Sequence, residues 1–135
     1  MAKSQWAVTA SLKHITGKTG DYGASDTRFL HLWTVQPTID NASGTAVSGG
    51  GYSPVSCSGD FPTVSTSVSQ VTNNAIIQFT TRTTAAWGTV VAFSLHDTSS
   101  TGSDMYCVAA LDNAVTISSG INVKIPVGSL VITES

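Results

Sequence analysis

The sequence predicts an all-β protein: a single antiparallel β-sandwich, jelly-roll or immunoglobulin-like, of about eight short strands with an N-terminal extended arm. Three observations predict it. Nineteen Ser and 19 Thr stand against four Lys, two Arg and one Glu, so the straight-chain charged helix formers are scarce. Branched and aromatic residues gather in short runs that suit a pleated, half-buried surface. Turn residues separate those runs at roughly 8–12-residue spacing. A length of 135 residues fits one domain. Charged residues are only 10% of the chain, against the usual ~25%. That balance excludes a helical bundle, a coiled coil and a long charged tail.

The elements follow in order. Residues 1–27 are expected to be an arm, and 28–135 the sandwich. The arm holds three of the four Lys and becomes polar and Gly-rich after Thr16. Within it Val8, Leu12 and Ile15 share the spacing of one helix face. An arm that exposes Trp6, Leu12 and Ile15 needs a surface to dock on: its own sheet, a sister subunit or another protein. The first strand is FLHLWTV (29–35), ended by Pro37. Gly49–Gly51 make a turn before an extended segment with Tyr52, Val55 and Cys57, and Pro54 marks that segment as an edge or a bulge. Val64, Thr66 and Val68 alternate with serines, as in a strand with one wet face. After the Asn73-Asn74 turn come AIIQFTT (75–81), then GTVVAFSLHD from Gly88. Ser99–Ser103 turns the chain into MYCVAAL (105–111). Val115-Thr116-Ile117, the Ser118–Gly120 turn, INVKIPV (121–127) and SLVITES (129–135) complete it. Trp33, Phe79, Trp87 and Phe93 sit in apolar runs and are expected in the core. Tyr22 and Tyr52, like Trp6, lie in arm or turn contexts and are expected to make contacts.

Chemistry-bearing residues are sparse. His14, His31 and His96 lack the spacing of a metal pair. His96-Asp97 forms no dyad of its own, since neighbours on a strand point to opposite faces, and is expected to be a partly exposed turn. Asp21 with Asp26, and Asp97 with Asp104, flank polar loops without the dense acidic pattern of a calcium site. Ser48–Tyr52 has no phosphate-loop spacing, and its glycines serve a tight connection. No catalytic, metal or cofactor site is expected, and no cofactor. Cys57 and Cys107 are expected to be reduced and buried, although neighbouring strands would allow a disulfide. Asn41-Ala42-Ser43 has the form of a glycosylation sequon. The scattered cations argue against a nucleic-acid partner, and no apolar run reaches the ~20 residues of a membrane span. The N-terminus lacks the apolar stretch of a signal peptide, so synthesis is expected in a cytoplasm.

The segment Thr45-Ala46-Val47-Ser48-Gly49-Gly50-Gly51-Tyr52 resembles the T-x-V-S-G-G-G-Y stretch of small tailed-phage virion proteins, tail-fibre-like or head-decorating. Later signals come in the same order: Asn74-Ala75 before a strand ending in Phe79, then Trp87-Gly88-Thr89-Val90, Phe93-x-Leu95-x-Asp97, Leu111, and Ile125 to Ile132. The likeness covers about residues 28–135. The chain departs from the family in its polar N-terminus, where members commonly carry a longer amphipathic helix, and in its first strand, which there reads more like L-Y-V-A-L. The resemblance implies a virion structural protein without catalytic residues. The expected role is a capsid cement, or decoration, protein on the capsid surface, made in the host bacterium. It would bind across subunits of the major capsid protein and stabilise the mature head by linkage. Copies are expected to form a homo-oligomer, a trimer foremost. Trp6, Leu12, Ile15, Tyr22 and Tyr52 are the candidate contacts to capsid or sister subunit. The alternatives are a tail or fibre-base component, and a carbohydrate-binding adhesin-like module.

Overall fold

The computed structural model describes residues 11, 12, 15, 16, 27–41, 43–62, 64, 70–79 and 82–133. The chain is nearly all-β with antiparallel sheets, consistent with the sandwich class expected. Among the described residues its strands are β1 (Phe29–Val35), β2 (Thr45–Ala46), β3 (Val55–Ser56), β4 (Gln70–Thr72), β5 (Ile77–Gln78), β6 (Gly88–His96), β7 (Met105–Ile117), β8 (Lys124–Ile125) and β9 (Val131–Thr133), with one 3₁₀ turn at Ser58–Asp60. A five-stranded sheet runs β2-β1-β6-β7, with β3 also on β1, and β4–β9 and β5–β8 are two-stranded.

Two compact units divide the chain. One takes the described residues of Met1–Arg28, Cys57–Ile77 and Ile125–Ser135. The other takes Phe29–Ser56 and Gln78–Lys124.

The second unit holds the five-stranded sheet. Its central strands β1 and β6 bury consecutive residues: Leu30 through Trp33 on β1, and Ala92 through His96 on β6. Successive side chains point to opposite faces, so both faces are covered there. That explains why these strands read as apolar runs without alternation. Trp33, Phe79, Trp87 and Phe93 are all buried, as expected. The two expected segments 105–111 and 115–117 are the two ends of β7. Val90 pairs with Val115 and Ala92 with Ala110, so Val91 alone faces Leu111–Ala114. This bulge lets one strand contain the Asp112-Asn113 pair, which on its own signals a turn.

The first unit holds the ladder of β4 and β9, in which Val71 pairs with Ile132. Strand β4 lies just beyond the expected strand at 64–68. Val64 is buried outside any strand, and residues 65–69 lie outside the described ones. In the N-terminal stretch, Ser11, Leu12 and Ile15 are helical, not extended. The Thr16 N–H donates to the Leu12 carbonyl at 3.0 Å, and Leu12 and Thr16 are buried. An isolated turn of helix is unstable in water, so burial of Leu12 is what holds this one. Arg28, also buried, ties the stretch down by donating from Nε to the Ile15 carbonyl at 3.0 Å. Val8 lies outside the described residues.

Candidate functional site

Two corners of the second unit concentrate its polar and aromatic side chains. The first is built on the glycine run. Gly49, Gly50 and Gly51 have φ of 71°, 58° and 77°, a left-handed path that few other residues follow. At Gly50 a Cβ would lie 2.6 Å from the Ala85 carbonyl oxygen and 2.9 Å from Trp87 Cδ1. The close approach lets the Gly50 carbonyl accept from the Thr84 N–H at 2.9 Å and the Trp87 indole N–H at 3.0 Å. The turn then delivers Tyr52 to the sheet. β3 pairs with β1 at Phe29 and Leu30, and β2 at Trp33 and Val35. In the gap, the Leu32 N–H donates to the Tyr52 hydroxyl at 2.9 Å, a side chain standing in for a ladder carbonyl. Tyr52 and Phe79 each meet Trp87 edge-on, with centroids 5.0 and 5.5 Å away, the favourable aromatic geometry. Burial pushes the Tyr52 phenol up to about 12, against the opposing effect of the Leu32 N–H.

The second corner is a polar core between β1 and β6. His31 faces Ser94 across the pair, and Phe29 faces His96. His96 is fully buried, contrary to the partly exposed turn expected: β6 runs through His96 before the chain bends. Its hydrogen bonds close a chain. The Trp33 indole N–H donates to Ser94 Oγ at 2.7 Å, and Ser94 Oγ lies 2.8 Å from His96 Nε2. On the other side His96 Nδ1 lies 3.3 Å from Ser103 Oγ, which donates to the Ser100 carbonyl at 2.5 Å. The pattern assigns the proton to His96 Nδ1 and leaves Nε2 to accept from Ser94. His31 Nε2 donates to the Thr98 carbonyl at 3.0 Å, while its Nδ1 is buried without a hydrogen-bond partner among the described residues. The two imidazoles lie 4.0 Å apart. Burial lowers both pKa values; for His96, the charge that His31 would carry adds to it and takes the value to about 4, against Ser103 and Asp97. Both rings are therefore neutral at pH 7. A Ser–His contact is also the geometry of a nucleophile and its base. Here both side chains are fully buried, and the indole of Trp33 already holds the hydroxyl.

The expected contact residues fall in different places. Leu12 is buried within the chain, so it is no exposed anchor in this state, and Ile15 and Tyr52 are half-buried. Trp6 and Tyr22 lie outside the described residues, as do His14, Asp21 and Asp26. Cys57 and Cys107 form no disulfide. Among the described residues no three His, Cys, Asp or Glu side chains gather as a metal site would need, and no helix is long and apolar enough to cross a membrane. The Asn41 amide is engaged at the surface, donating to the Thr101 carbonyl at 2.7 Å. It borders a concavity of about 350 Å³ between residues 39–41 and 102–105.

One buried polar residue that sequence reasoning took only for a turn is Asn73. It is 1% exposed. Its amide donates to the Ala75 and Pro126 carbonyls, both at 2.9 Å, and its side-chain oxygen accepts from the Leu130 N–H at 2.9 Å. Its backbone carbonyl accepts from the Gly128 N–H. The turn at 126–130 is thus wrapped around one side chain. An Asn-Asn pair signals a turn in sequence, but nothing local marks which Asn is buried.

A protein-family model described as podophage GP4 fiber I protein gp80 matches residues 2–133, nearly the whole chain. The chain belongs to this family. It is a phage virion structural protein, as the sequence resemblance implied. No curated protein matches the chain. Within the gp80 family match lie both corners, the Asn73 clamp and the N-terminal stretch.

Proposed function

We propose that the protein is a building block of a podophage tail fibre, a part that acts by binding other subunits and catalyses no reaction. The observation that carries this is the match over residues 2–133 to a family described as a fibre protein. It favours the tail over the capsid-cement role expected from sequence, and so over the major capsid protein as partner. The fold supports a part that works by shape. The turns at Gly49–Gly51 and 126–130 are fixed from inside, by Trp87 and by Asn73, so they present rigid outer surfaces. Rigid elements suit an assembly whose many weak contacts add by avidity. Copies of the chain associate with one another and with neighbouring tail proteins.

Copy number in purified virions tests the reading. Quantitative mass spectrometry should find copies in the small numbers of a tail part. Hundreds per particle would restore the cement role, and absence from virions would exclude both.

A further inference from the structure

The turn between β6 and β7 is fastened to the second unit by side chains from outside it. Residues 98–104 read TSSTGSD, with no apolar side chain, and all but Ser103 are exposed. Three groups hold them. His31 Nε2 donates to the Thr98 carbonyl at 3.0 Å. His96 Nδ1 lies 3.3 Å from Ser103 Oγ. The Asn41 amide donates to the Thr101 and Ser103 carbonyls at 2.7 and 3.4 Å. The base of the turn is closed by the Asp97 N–H, which donates to the Asp104 carbonyl at 3.2 Å.

A further proton has no place in this arrangement. The rings of His31 and His96 are fully buried, with centroids 4.0 Å apart. On His31 the proton goes to Nδ1, which has no hydrogen-bond partner among the described residues. On His96 it goes to Nε2, where Ser94 Oγ already accepts from the Trp33 indole N–H and its own hydroxyl proton loses its acceptor. If both rings charge, like charges meet. The carboxylate of Asp97 favours a charged His96, and burial and His31 outweigh it. Phe29 and Trp33 on β1 bring no charge to the pair, nor do Met105 and Cys107, which face His96 and Leu95 from β7. Asp104 ends the turn, and Asp40 precedes Asn41.

We propose that residues 98–104 form an acid-released latch: proton uptake by the paired imidazoles of His31 and His96 lifts this turn off β1 and off Asn41 while the five-stranded sheet stays folded. A buried imidazolium must be hydrated or lose its proton. Each ring already directs one nitrogen at the turn, so moving the turn is the shortest way to bring water to both. That movement breaks a few polar contacts and withdraws no apolar side chain from the core. Unfolding the sheet exposes Leu30, Leu32, Phe93 and Leu95 as well. The local opening therefore costs less free energy than the global one. A lifted turn widens the concavity between residues 39–41 and 102–105, so acid reshapes one polar surface of the second unit. The inference goes beyond the fibre reading and does not depend on it.

The test is amide hydrogen exchange of the full chain, read by NMR between pH 7 and pH 4.5, with and without low urea. Protection is corrected for the intrinsic pH dependence of exchange. The reporters are the Asp97 and Ser103 amides, hydrogen-bonded at the base of the turn and within it. Their protection should fall by about tenfold per pH unit below pH 6.5 for each proton taken up. It should stay insensitive to urea, while the ladder amides of β1 and β6 keep higher protection and a full urea dependence. The double variant His31→Gln with His96→Gln should lose the pH slope at both reporters. Asn41→Gly leaves both imidazoles in place and suits the φ of 61° at that position, so it decides the matter if the double variant does not fold. It should lower protection at Ser103 at every pH and keep the wild-type slope. Reporter protection that does not change with pH overturns the proposal. So does loss of protection at the reporters only together with the ladder amides and with the same urea dependence, a slope that survives in the double variant, or wild-type protection at Ser103 in Asn41→Gly.

Discussion

The glycine–aromatic corner and the histidine corner sit on the same five-stranded sheet, yet they are held by different physics. At Trp87 the stabilisation is apolar area and edge-on ring packing, and the two polar ring atoms, Tyr52 Oη and Trp87 Nε1, both find backbone partners. Neither titrates near neutral pH. At His96 the core is filled by two imidazoles, an indole and a hydroxyl whose protons must all be placed. One corner is indifferent to acid and sensitive to volume. The other tolerates neutral pH and fails when a proton arrives. The comparison teaches that a buried polar core can hold together with one ring atom, His31 Nδ1, left without a hydrogen-bond partner among the described residues, but over a narrower range of conditions than an apolar one.

The largest effect should come from breaking the first corner by volume. Trp87→Ala removes a buried ring and the donor to Gly50, and should lower stability by about 3–5 kcal/mol. Calorimetry measures it, and an unchanged melting temperature would show that the corner carries little of the fold. Acid should break the second corner. The unfolded chain binds a proton at His96 near pH 6.5, whereas the folded chain binds it only near pH 4. The unfolded state therefore holds more protons in that window, and stability rises with pH across it. The contribution is fully present above pH 6.5 and is lost as pH falls toward 4; His31 acts in the same direction. Denaturant titrations at a series of pH values should trace this slope, and His96→Gln should flatten it. If the variant keeps the slope, the titrating group lies elsewhere.

A smaller effect sharpens the polar corner from within. Ser94→Ala leaves the Trp33 indole N–H and His96 Nε2 without their shared partner, a loss of about 1–3 kcal/mol. Indole nitrogen chemical shift in NMR gives an independent readout, which should move even if the melting temperature hardly does. Smallest is Tyr52→Phe, which keeps the ring against Trp87 and removes only the acceptor for the Leu32 N–H, about 1 kcal/mol. Hydrogen exchange should accelerate at Leu32 more than at its neighbours on β1. Uniform acceleration along the strand would mean that the hydroxyl does not bridge the gap between β2 and β3.

Much of the fold was legible because it is written locally. Phe29–Val35 and Gly88–His96 announce themselves as runs of branched and aromatic residues, and Gly49–Gly51 as a turn. Trp87 reads as core from its neighbours alone. What escaped depends on pairing between distant segments. His96 is a polar residue before a turn, and only the register of β1 against β6 brings it to His31 and Ser94. Asn73 finds its Pro126 partner 53 residues away, a distance at which no turn signal speaks. The bulge at Leu111–Ala114 made one strand look like two, because Asp112-Asn113 breaks the apolar pattern without ending the ladder. Contact residues were the least legible. Leu12 looked like an exposed anchor in a polar arm and is buried.

The claim that this chain is a structural part of the virion, placed in the tail, is tested most directly by immunogold microscopy of purified particles with an antibody to the full chain. The account predicts gold clustered at the tail fibres with bare heads. Label spread over the capsid, or particles without any label, would contradict it.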